Sequence, residues 1–120
     1  MKKVNYVDGF VLVVPKKNTA AYKKLAERAG KIWKKYGALD YKECILDDSP
    51  KFVKLTYTKM TKIKKSETIW FSFISFKSRK HRDQVNARVM KDPFMNSSEA
   101  KNEPMPFDMD RTAYAGFKVM

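Results

Sequence analysis

Ser78-Arg79-Lys80-His81-Arg82 puts three cations and a histidine directly behind a hydroxyl. At a helix start this order is unfavourable, because the positive end of the helix dipole favours acids. The free backbone N–H groups at such an end suit an anion. The expectation is a carboxylate or phosphate site with Ser78, Arg79 and Arg82 as donors. The plain alternative leaves Arg79 and Lys80 pointing into solvent. His81 is the sole histidine. A positive helix end and cationic neighbours favour its neutral form, which can act as base or donor. Its spacing to Val85 equally fits a packed, hydrogen-bonded histidine.

Asn86 sits among Val85, Ala87 and Val89 in a helical stretch, although asparagine is a poor helix former. If that face is buried, its amide needs partners. It is expected either to point into a pocket with Tyr6, Asp8 and Tyr114 or to bond a loop carbonyl. In a catalytic reading, His81 or Asp8 moves the proton and Asn86 or Tyr114 orients. Trp33, Trp70, Met90, Met105, Phe107 and Met109 are candidate pocket or lid residues, methionine being adaptable in shape. The same set also reads as plain core. Cys44 is the one cysteine; no intrachain disulfide exists, and inside an apolar strand it reads as a small buried hydrophobe. One histidine and one cysteine do not assemble zinc's usual ligand set, so no metal and no cofactor are expected.

These residues need a scaffold. Residues 4–14 read as a strand apolar on both faces, with Val4, Tyr6, Phe10, Leu12 and Val14 on one and Val7, Gly9, Val11 and Val13 on the other. Asn18 is a suitable N-cap for a helix whose stripe is Tyr22, Leu25, Ala26, Ala29, Ile32, Trp33 and Tyr36. Gly37 suits its C′ position. Residues 41–46 form a short strand. Residues 51–65, rich in lysine and without an acid, read as an excursion. Residues 67–76 form the strongest strand, with Ile69, Phe71 and Phe73 on one face and Trp70, Ile74 and Phe76 on the other. Ser78 caps a second helix to about Lys91, with Pro93 beyond it. Residues 97–101 make a helical turn, and residues 111–119 form the last strand.

The order βαββαβ is the split βαβ arrangement, giving α+β, a ferredoxin-like sandwich with a four-stranded antiparallel sheet. Two helices cover one face of that sheet. The other face, apolar in the first and third strands, needs a partner, and a second copy is the simplest one. A homodimer is therefore expected.

At 120 residues, the chain fits one domain over 1–120. Lys and Arg number 26 against 13 Asp and Glu, a formal charge of +13, which attracts polyanions. Asn5 and Asp8 interrupt the apolar run behind Met1-Lys2-Lys3, so no signal peptide is read. No apolar stretch approaches the ~20 residues of a membrane span. The cytoplasm is the expected setting. A small organic ligand with an anionic end, in a helix–sheet pocket, is the leading functional expectation. The alternative is a polyanion or nucleic-acid binding module acting through lysines, although no RNP motif, zinc finger or phosphate loop is present.

Tyr6-Val7-Asp8-Gly9-Phe10, Pro15-Lys16-Lys17, Phe76-Lys77-Ser78-Arg79 with His81-Arg82-Asp83, Val85-Asn86-Ala87, Val89-Met90 with Asp92-Pro93, Met105-Pro106-Phe107-Asp108-Met109, Tyr114 and Gly116-Phe117 run through nearly the whole chain. In these motifs the chain resembles the YbaA-like family of domains of unknown function. That resemblance implies the dimeric α/β-barrel superfamily, in which two ferredoxin-like sheets close a barrel. The superfamily includes cofactor-independent monooxygenases, haem-degrading enzymes, isomerases and ligand-binding modules. Haem-degrading relatives carry their axial histidine further along the second helix than His81 stands, and use Trp near Phe76, so the resemblance does not extend to haem. Fold alone assigns no chemistry.

Overall fold

The computed structural model describes residues 3–120; Met1 and Lys2 of the leader-like opening lie outside the described residues. Four strands, β1 (Tyr6–Pro15), β2 (Asp40–Ile45), β3 (Glu67–Phe76) and β4 (Asp108–Lys118), form one antiparallel sheet in the order β2-β3-β1-β4. The helices are α1 (Thr19–Lys35), α2 (Tyr57–Met60), α3 (Arg79–Val89) and α4 (Ser98–Asn102). This is the expected ferredoxin-like α+β fold. Among the described residues no helix is long and apolar enough to cross a membrane.

Register decides which side chains meet the helices. Leu12 pairs with Trp70, Phe10 with Ser72, and Asp8 with Ile74. Because side chains alternate across a strand, these residues share the helix-covered face. Leu12, Val14, Trp70, Tyr22 and Ala26 make one core cluster; Ile74, Phe76, Val85, Val89 and Ala38 make a second. The opposite face carries Val7, Val11, Phe73 and Phe71, with Ala113, Ala115 and Phe117 of β4 in register. The excursion, which contains α2, folds back over one end of that face. Tyr57 stacks on Phe71 with ring centroids 6.5 Å apart, and Val13 and Ile69 there are buried. Phe71, at its margin, and Phe117, beyond it, stay exposed.

Helix ends explain the connections. Gly37, at φ 115°, ends α1. Its N–H bonds Lys34 O, and Ala38 N–H bonds Trp33 O, the paired closure that a left-handed C′ residue allows. Two local expectations need correction. Asn18 stands at the N-cap position of α1, as expected, but its side chain makes no cap hydrogen bond. It ends a 3-10 turn, Lys16–Asn18, and its Nδ2 donates instead to Pro106 O at 3.2 Å. Cys44 is exposed, not buried. It lies opposite Phe71 on the face without helices, in an edge strand.

Candidate functional site

Of the residues singled out in sequence, four converge. Asp8, on β1, is 2% exposed and directed toward α3. Arg82, one turn into α3, reaches it with Nη1–Oδ1 at 2.7 Å. The same Nη1 donates to the Tyr114 hydroxyl at 2.7 Å, and Nε donates to Asp83 at 2.7 Å. The guanidinium also lies 5.1 Å over the Tyr6 ring. Burial pushes the Asp8 carboxyl above the ordinary carboxylate range, and Arg82 pulls against it. Gly116 follows from this packing, since a Cβ there would run into the Tyr6 hydroxyl. Arg82 thus spends its fork on protein acceptors and ties α3 to the sheet.

The remaining candidates are distributed elsewhere. Ser78 caps α3, its Oγ accepting from His81 N–H at 3.0 Å. Arg79 is exposed. The expected anion donors are therefore placed apart: Ser78 on its own helix, Arg82 on Asp8, Arg79 in solvent. His81 Nδ1 accepts from Lys77 N–H at 3.0 Å, and its ring meets Phe76 edge-on. Asn86 takes neither expected partner: its Oδ1 accepts from Trp33 Nε1 at 3.0 Å and joins α1 to α3. Met90 ends α3 and is exposed. Phe107 packs edge-on against Tyr22.

Trp70 alone among these candidates borders a cleft of about 600 Å³, between α1 and the β2–β3 edge. Ala26 and Gly30 leave room on the α1 side, while Tyr41, Glu43 and Ile45 rise from β2. Glu43 is a largely buried carboxyl on the cleft wall. Tyr22 Oη donates to Oε1 and Tyr41 Oη to Oε2, each at 2.8 Å. Burial raises the Glu43 pKa above 4.5, its ordinary value, and the two hydroxyls oppose the rise. Burial and the adjacent carboxylate push both tyrosine hydroxyls up, so they remain donors. The Trp70 Nε1–H is buried without an acceptor. Lys23, Glu27, Lys31 and Lys34 border the cleft from α1. A carboxyl with a raised pKa, aimed by two fixed donors inside a cleft, can exchange a proton with a bound molecule.

Residues 5–109 match the model of a family described as a protein of unknown function, DUF1428. The chain belongs to the DUF1428 family. It is 36% identical, over 96% of both chains, to the uncharacterized protein YbaA of Escherichia coli K12, and equally to that of Shigella flexneri. The solved structure of a dimeric ferredoxin-like protein from an uncultured marine organism superposes with a TM-score of 0.59. That likeness spans 96% of this chain and 95% of the other at 11% identity, and so supports the fold.

In this DUF1428 chain, sequence reading missed Glu43, Tyr22 and Tyr41. One signal was present: Tyr41, Glu43 and Ile45 alternate on one face of a strand, and an acid on an otherwise apolar face needs a partner.

Proposed function

We propose that this DUF1428 protein binds, and exchanges a proton with, a small organic molecule that carries an anionic end. The site is the cleft between α1 and the β2–β3 edge. The observation that carries the proposal is the Glu43 carboxyl, held by Tyr22 and Tyr41, at the cleft wall. Lys23, Lys31 and Lys34, which outnumber the one acid beside them, Glu27, supply the attraction for the anionic end. Trp70 and Ile45 supply apolar contact to its body.

Native mass spectrometry of freshly purified protein at modest salt tests this reading. The expected result is a small extra mass, released on denaturation, that Lys31→Ala/Lys34→Ala protein retains less well. A clean mass, together with heparin retention that falls steeply with salt, would replace this reading with the polyanion one.

The protein is further proposed to act as a homodimer joined through the sheet face that carries Val7, Val11, Phe71, Phe73 and Phe117. Its support is the exposure of Phe71 and Phe117 on an apolar face that the helices do not reach. Phe71→Asp should convert a dimer into a monomer by sedimentation equilibrium; a wild-type monomer would overturn the assignment. A free thiol at Cys44 suits a reducing compartment, which supports a cytoplasmic setting.

A further inference from the structure

The other flank of α1 borders a second cavity, of about 250 Å³, beneath residues 94–107. Leu25, Ala29, Ile32 and Trp33 of α1 face Met95 and Phe107 across it. Its lining is apolar except for two groups that bond one another. Arg28 Nη2 donates to Glu103 Oε1 at 2.5 Å, and the guanidinium lies 4.5 Å over the Phe94 ring. The same Arg28 and Glu103, with Leu25 and Met105, also border a more polar cleft of about 360 Å³. The ion pair is therefore a partition between that cleft and the apolar cavity.

We infer that the apolar cavity receives a small monocarboxylate with a hydrocarbon body, whose carboxylate replaces Glu103 on Arg28. The guanidinium fork matches any carboxylate, and Glu103 occupies it in the free protein. Side-chain exposures of 29% and 27% leave the pair within reach of solvent. Such partly wet pairs hold weakly and exchange readily. Phe94 fixes the guanidinium plane while its partner changes. Met105, unbranched and half-exposed on the partition, can shift to admit the guest. The volume lies below the roughly 300–1,000 Å³ of sites for drug-sized molecules, so the body is one ring or a short chain. The inference does not rest on the Glu43 cleft, which lies across α1.

Phenylacetate is the probe and phenylacetamide its uncharged control. The readout is the carbon-13 methyl spectrum of labelled methionines in the full chain. Phenylacetate should shift the Met95 and Met105 signals saturably, and phenylacetamide should bind about tenfold more weakly or worse. Glu103→Gln, which keeps the size but weakens the competitor, should tighten phenylacetate binding several-fold. Arg28→Lys should weaken it about tenfold through loss of the planar fork. Equal binding of acid and amide, an unchanged affinity in Glu103→Gln, or no saturable shift at Met95 and Met105 overturns the inference.

Discussion

Replacing Arg82 with alanine removes the only charged partner within bonding distance of the Asp8 carboxylate among the described residues, and Asp8 is 2% exposed. Breaking a buried pair by deleting one partner costs about 3–5 kcal/mol, since the survivor stays buried without compensation. The bond to Asp83, whose side chain is 60% exposed, adds little by comparison. With a urea slope of about 2 kcal/mol per molar for a small protein, the unfolding midpoint should fall by about 1.5–2.5 M. Tryptophan fluorescence at fixed protein concentration is the assay, because association shifts apparent stability. The slope should not change. Asp8→Ala in the Arg82→Ala background should cost less than Asp8→Ala alone, since the orphaned charge leaves with it. A midpoint shift below about 0.5 M, the level of a surface pair, would refute the reasoning. Strict additivity of the two changes would refute it as well.

Other perturbations read different parts of the molecule. Gly30→Ala should gain less than the ~1 kcal/mol of helix propensity, because the new Cβ stands 3.1 Å from the Tyr41 ring; it should also weaken ligand uptake, and the full gain with unchanged uptake would show slack in the cleft. Glu43 has a raised folded pKa, so its contribution is complete below 4.5 and declines as pH rises through the folded value; the wild-type minus Glu43→Gln stability difference, measured by urea titration at several pH values, should therefore shrink as pH rises, and a difference that grows would contradict the assignment. Ser78→Ala removes the N-cap bond to His81 N–H and should cost about 1 kcal/mol, lowering the thermal midpoint by about 4 °C.

The frame was legible because it rests on patterns that run along the chain. The two-sided apolar strands β1 and β3 called for cover on both faces, and Gly37 and Ser78 marked helix ends that the structure confirms. Long-range partners were not legible. Asp8 and Arg82 were both singled out, yet nothing local reveals that residues 74 positions apart pair. The expected anion site assumed a free guanidinium, and its Nε and Nη1 are bonded within the protein. Asn18 holds the N-cap position but not the cap bond, because the 3-10 turn leaves it at φ −97° and ψ 7°, outside the extended conformation of a typical N-cap. Cys44 was misread because β2 is an edge strand with one face away from the helices, so an apolar type there does not imply burial. Glu43 hid in the same strand, with its partner Tyr22 arriving from α1, 21 positions earlier.

The order β2-β3-β1-β4 also dictates when the chain can fold. β1 is made first, yet its two neighbours are β3 and β4, and Tyr6 finally sits opposite Lys118. A ribosome must therefore release the chain through β4 before β1, one of the two inner strands, has both partners. Until β3 emerges, about 50 residues behind it, the valine-rich β1 segment, apolar on both sides, has no strand to pair with, and its second edge stays open until β4 follows. Closing such distant contacts slows folding and exposes the nascent chain to aggregation. A strand central to the finished sheet is thus, in the growing chain, an apolar edge left open.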